Sequence, residues 1–177
     1  KQAPREVITL EHWGCPWSRT PDGKINQRPF GGHSFPRACF AADMTGLHEM
    51  HTLYGRAIMQ ENITFYNEWF ATSLLIEDSI SKGLTAIEMK TGEMHALQAK
   101  AIIMATGGCE RIYEFTTFSQ TATGDGMAIA YRAGITLKDM EFIQFHPTGL
   151  VPSGVLITEG ARGEGGYLIN ADGERFM

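Results

Sequence analysis

Eight consecutive residues, Ala101-Ile102-Ile103-Met104-Ala105-Thr106-Gly107-Gly108, constrain this chain more than any other segment. An unbroken apolar run that ends in two glycines has the pattern of a strand buried on both faces, and such strands belong to sheets covered by helices on each side. Ligands of those sheets sit beyond the carboxyl ends of the strands, where glycine lets bare backbone come close to them. The run therefore predicts an α/β chain in which Ala105, Thr106, Gly107 and Gly108 form a strand exit beside a ligand. The G-x-G-x-x-G string that opens a dinucleotide-binding fold is absent from the 177 residues, and the chain starts at Lys1 with no methionine, so a piece of a longer protein is expected.

The flanking patterns agree with a mixed α and β chain. Residues 10 to 42 are rich in Gly, Pro, Trp and Phe without sustained periodicity, which predicts an ordered, packed loop region. Leu47, Met50, Tyr54 and Ile58 then follow helical spacing behind Thr45, a candidate N-terminal cap, for a helix of about four turns. Strand-like runs in 65–77, 84–89 and 94–99, joined by short polar turns, predict a β-meander. Thr123-Gly124-Asp125-Gly126 introduces a short helix that closes at Gly134, and 141–145 and 155–158 read as two further strands.

Composition removes several function classes. Fifteen basic against twenty acidic residues give a net charge of -5, and no Lys or Arg run supplies the phosphate-neutralising charge that nucleic-acid binding needs. The longest apolar stretches fall far short of the roughly 20 residues that cross a bilayer as a helix. The three cysteines, Cys15, Cys39 and Cys109, form no C-x-x-C pair, so reduced thiols are expected. Cys15 carries no nucleophile signature and is read as packing, as are Trp13, Trp17 and Phe30. His48 and His51 lie three apart on the predicted helix, but no further ligand set completes them, and no metal site is assigned.

Two constellations remain. The strand exit at Ala105 to Gly108, with Asp125 at the start of the following helix, offers close backbone and a carboxylate able to accept from ribose or ribityl hydroxyls. Each part alone could equally be a tight strand exit and a helix start. The second is Gln144-Phe145-His146-Pro147-Thr148-Gly149, followed by Thr158-Glu159-Gly160-Ala161-Arg162-Gly163-Glu164. His146 and Thr158 can donate to a carboxylate, while Glu159 and Arg162 could pass a proton if held in contact, a mixture suited to a small dicarboxylate. A surface ion pair beside a core histidine is the plainer alternative; the density of polar groups among glycines favours function.

Taken in order, His12-Trp13-Gly14-Cys15-Pro16-Trp17-Ser18-Arg19, Arg37-Ala38-Cys39-Phe40-Ala41-Ala42-Asp43, His51-Thr52-Leu53-Tyr54, Ala105 to Gly108, Thr123 to Gly126, His146 to Gly149 and Thr158 to Gly166 closely resemble the flavoprotein subunit of succinate dehydrogenase and fumarate reductase. The resemblance runs over essentially the whole chain. It implies an FAD enzyme that interconverts succinate and fumarate and passes electrons to an iron-sulfur subunit and a quinone pool, the cofactor carrying the redox chemistry. It implies that residues 1–139 are the middle and later part of a Rossmann-like FAD-binding domain with its meander, and that 140–177 begin a capping domain over the substrate. By the same resemblance His146 and Thr158 hold a substrate carboxylate, Ala105 to Gly108 and Asp125 lie against FAD, and Glu159 and Arg162 belong to a proton relay feeding a catalytic arginine that this sequence does not contain. The family's covalent FAD histidine and N-terminal Gly-rich loop are also outside it, so the 177 residues alone are expected to be inactive. Membrane anchor subunits would place the protein on the cytoplasmic face of the inner membrane, or on the mitochondrial matrix face. An L-aspartate oxidase-like flavoenzyme, with a similar His-Pro-Thr segment and Arg-Gly-Glu-Gly turn, and a non-catalytic fragment or module that binds a partner but no flavin are the competing readings.

Overall fold

A computed structural model describes residues 1–30 and 33–176. The elements in chain order are α1 (Ala3–His12), β1 (Gln27–Arg28), β2 (Ala38–Cys39), α2 (Thr45–Ile58), β3 (Trp69–Glu77), β4 (Ile80–Glu88), β5 (Met94–Gln98), α3 (Asp125–Arg132), β6 (Gly149–Leu150), β7 (Val155–Leu156) and the single turn α4 (Gly160–Gly163). They fall into two compact units, 1–64 with 157–177, and 65–156.

In the first unit the loop region is held by aromatic burial and by hydrogen bonds that do not depend on regular structure. Cys15, Trp17 and Ala41 are buried together, with Val7, Leu10, Ile25 and Cys39 against them. The Trp17 indole N–H donates to the Val7 carbonyl at 3.1 Å, which satisfies the one polar atom of a large buried ring. Ser18 ties the same loop down from both sides: its N–H donates to the Phe40 carbonyl at 2.8 Å, and its hydroxyl accepts from the Ala42 N–H at 3.0 Å. Trp13, in contrast, is 43% exposed, with Arg56 over its ring at 5.6 Å. α1 carries Pro4 in its first turn, a position where the missing N–H costs nothing; sequence periodicity did not single it out. α2 matches the predicted helix, with Thr45 as its first residue and not its cap, since the Thr45 hydroxyl accepts from the Ala41 N–H instead.

Burial pushes the Cys15 thiol above its ordinary pKa, against an opposing hydrogen bond from Thr52. A neutral, enclosed thiol is a poor nucleophile. Cys39 and Cys109, both only half-buried, are expected to react with iodoacetamide at pH 8 well before Cys15, as mass spectrometry of the alkylated peptides would show. Because the unfolded thiol ionises at lower pH than the folded one, this site also costs stability as pH rises past about 9.

The second unit is built on the meander β3-β4-β5, antiparallel throughout, as the sequence predicts. Ala86 is buried at its centre. Thr72, Ser73 and Thr85 join their hydroxyls across β3 and β4 at 2.6 to 2.7 Å. Gly83 faces Gln98, and a Cβ there would lie 2.1 Å from the Leu97 carbonyl oxygen, so only glycine lets β5 approach. At the far hairpin the His95 ring stacks on Trp69, centroids 4.7 Å apart. Its Nε2 stands 3.9 Å from carboxylate oxygens of both Glu88 and Glu93.

Two predicted strands are absent. Ala101 to Gly108 has no regular secondary structure, no described strand pairs with it, and Ile103 is 93% exposed. A strand exists through its hydrogen-bonded neighbours, and a parallel one needs them on both edges. The stretch 141–145 is likewise unpaired, with Phe142 and Phe145 exposed; the following β6 and β7 pair only with each other, over two residues each.

Candidate functional site

The strand exit and the helix start do come together. The Gly124 N–H donates to the Gly108 carbonyl at 3.1 Å. Gly124 adopts φ +81°, a left-handed turn that swings the chain into α3. Gly126 is buried in the first turn of α3, and a Cβ there would stand 1.8 Å from the Thr106 hydroxyl oxygen. The close approach of helix and loop thus depends on one missing methyl group. Asp125, on the exposed side of the same turn, accepts a short hydrogen bond from the Thr123 hydroxyl and sits at the positive end of the helix dipole. Gly107 has φ +73° with nothing within 4 Å of its missing side chain, so its backbone faces open space. Bare amides, a helix N-terminus and an exposed carboxylate, all held by close backbone packing, fit the phosphate and ribityl or ribose groups of a dinucleotide such as FAD.

Gly126→Val tests this packing. Overpacking of this kind costs about 1–3 kcal/mol. The variant of the full-length protein is expected to lose part of its bound flavin and to unfold at lower denaturant concentration.

The other four predicted residues divide between the units. His146, in the second, is half-buried and lines a cavity of about 130 Å³ with Glu110, Tyr113, Phe115 and Phe145. Its Nδ1 lies 3.0 Å from the Thr148 carbonyl oxygen and 3.2 Å from the Thr148 amide nitrogen. The His146-Pro147-Thr148 turn therefore fixes the ring through Nδ1, which leaves Nε2 as the atom for an outside group.

Thr158, Glu159 and Arg162 are in the first unit, on the turn that carries α4. The Thr158 hydroxyl is exposed and accepts from the Gly160 N–H at 3.2 Å. The Glu159 carbonyl accepts from the N–H groups of Arg162 and Gly163 at 3.0 and 3.1 Å, which closes the turn and sets Glu159 and Arg162 three residues apart on one helical turn. Both side chains are half-buried. The glycines are steric necessities here: a Cβ on Gly163 would lie 3.0 Å from the Pro29 carbonyl oxygen, and one on Gly166 would lie 2.6 Å from the Ala161 carbonyl oxygen. The 105–108 with 123–126 segment and the Thr158 to Gly166 segment are thus each tightly folded through their glycines, while His146 stands apart from the second in the other unit.

The FAD binding domain family matches residues 1–177, the whole length of the chain. The chain belongs to that family. Among its relatives are the fumarate reductase flavoprotein subunit of Mycobacterium tuberculosis, 55% identical over 176 residues, covering 99% of this chain and 30% of the relative, and the succinate dehydrogenase flavoprotein subunit of Rickettsia conorii, 50% identical over 185 residues, covering 100% and 31%. A solved Escherichia coli quinol fumarate reductase superposes with a TM-score of 0.95 at 47% identity, over 98% of this chain and 30% of that one. The chain thus spans about 30% of the length of the relatives it matches. The likeness read from the sequence to the flavoprotein subunits is upheld, as are the mixed α/β class and FAD as the family's cofactor.

Two features escaped the sequence. His12 joins His48 and His51 on one cavity of about 650 Å³ beside α2. Among the described residues, metal-ligating atoms converge only at Glu88, Glu93 and His95, which the β4–β5 hairpin brings within 4.8 Å of one another. Spacing along the chain could not reveal the first, because His12 comes from another helix. The second has Glu93 in the turn itself and Glu88 and His95 on facing strands, so a register was needed to see it.

Proposed function

We propose that the protein of which this chain is part is an FAD-dependent oxidoreductase that interconverts succinate and fumarate. The reading is carried by one observation above all: a glycine turn, Thr158 to Gly163, that presents a hydroxyl, a carboxylate and a guanidinium, in a chain of the FAD binding domain family. Bound FAD would supply the two-electron chemistry, taking a hydride from the substrate in one direction and giving it back in the other. The chain's own residues do the rest. His146, through Nε2, and Thr158, through its hydroxyl, donate to a substrate carboxylate and fix its orientation. Glu159 and Arg162 relay a proton to and from the catalytic arginine that lies outside these 177 residues and that exchanges it with the substrate carbon; Arg162 keeps the Glu159 carboxylate in reach and compensates its charge. Ala105, Thr106, Gly107, Gly108 and Asp125 hold the cofactor.

By the same reading residues 1–139 belong to the FAD-binding domain and 140–177 open the capping domain. Electrons pass to an iron-sulfur subunit and on to a quinone, and the similarity to a quinol fumarate reductase supports that route. No helix among the described residues is long and apolar enough to cross a membrane; association with the inner face of an energy-transducing membrane would run through anchor subunits.

Turnover of the full-length flavoprotein with succinate and with aspartate as alternative donors, read with an artificial electron acceptor, tests this. Reduction by succinate alone is expected. Reduction by aspartate alone would move the protein to the aspartate oxidases.

A further inference from the structure

Arg28 is placed with unusual care for a residue that the sequence patterns pass over. It lies in β1, paired with Ala38 of β2. Its guanidinium carbon stands 4.7 Å from the Phe40 ring centroid and 5.2 Å from that of Phe30, both cation–π distances. It also reaches the turn just described: the position a Cβ would take on buried Gly160 is 3.8 Å from the Arg28 guanidinium carbon, and the Pro29 carbonyl is the atom that Gly163 must avoid. Finally, the Arg28 Nε is enclosed and has no hydrogen-bond partner among the described residues. An enclosed, unpaired guanidinium N–H is costly, and an arginine kept there serves something other than the stability of the ligand-free fold.

We propose that Arg28 is a positioning residue of the dicarboxylate site: its guanidinium, flanked by Phe30 and Phe40, braces the Thr158–Gly163 turn and supplies the positive charge behind it that draws a dianion to Thr158. The proposal rests on the reading of that turn as part of a dicarboxylate site. Aromatic faces remove water from the cation without neutralising it, so its field reaches the turn weakly screened. Within the turn the Arg162 guanidinium offsets the Glu159 carboxylate, and Arg28 adds a second cation close to Thr158, while the exposed Glu164 carboxylate follows the turn at its far end.

Charge and packing separate in two variants of the full-length holoenzyme. Arg28→Met keeps a long side chain between the rings and removes the charge; Arg28→Lys keeps the charge and gives up the planar group. KM for succinate, and the Kd of the unreactive dicarboxylate malonate, are expected to rise on the order of tenfold in R28M, with kcat changed much less, and to return to within about threefold of wild type in R28K. Should R28M lose its flavin, R28Q gives the same reading. Wild-type KM and Kd in R28M would overturn the proposal, and so would equal losses in R28M and R28K, which would make the residue a packing element only. A wild-type enzyme with no affinity for either dicarboxylate would overturn the reading of the site itself, a different failure.

Discussion

In the full-length flavoprotein, Glu159→Gln is expected to cut succinate turnover by roughly 10²–10⁴-fold while leaving KM within a few-fold of wild type. The amide has the size and much of the hydrogen-bonding capacity of the carboxylate, but it cannot take up and release a proton. The turn should survive the change, because it is closed by the Glu159 backbone carbonyl, bonded to Arg162 and Gly163, and not by the side chain. Flavin content and unfolding midpoint should therefore match wild type. Thr158→Ala and His146→Ala are expected to show the opposite division, with KM raised more than kcat is lowered, since both residues donate to the substrate and neither moves a proton. Steady-state kinetics on the three variants would distinguish the roles, and an E159Q enzyme with wild-type turnover would remove Glu159 from the chemistry.

The 177-residue chain purified by itself is expected to convert neither succinate nor fumarate and to bind a hydrophobic dye such as ANS strongly. Among the described residues six apolar ones, Cys15, Trp17, Ala41, Ala86, Ala122 and Ile129, are buried, and three of them are alanines. Meanwhile Ile103, Phe142 and Val151 are each more than three-quarters exposed. Apolar surface on this scale marks contact with other protein, and a chain that leaves it in water has little free energy to set against the entropy of folding. Dye fluorescence and a denaturant titration would measure it; a cooperative transition with no dye binding would show that the two units are self-sufficient.

What could be read from the sequence divides along physical lines. The meander was legible because each of its strands pairs with its neighbour in the chain and each turn is short, so local pattern and tertiary pairing coincide. α2 was legible from its 3.6-residue period and α3 from the glycines that bracket it. Ala101 to Gly108 has the composition of a central strand, but what makes a strand is its partners, and none of the described strands is one. The glycine turns at 105–108, 123–126 and 158–166 were found from residue types alone; that Gly126 meets Thr106, or that Gly163 meets Pro29, required the folded chain. Arg28 shows the same limit. Its sequence neighbours carry no functional pattern, and its interest lies in contact with a turn more than a hundred residues away.

The most direct test of the central claim is the visible spectrum of the full-length protein, recorded anaerobically before and after succinate and again after acid precipitation. The account predicts a flavin band that bleaches with succinate and stays with the precipitated protein. A protein with no flavin band, or one whose flavin is left oxidised by succinate, would contradict it.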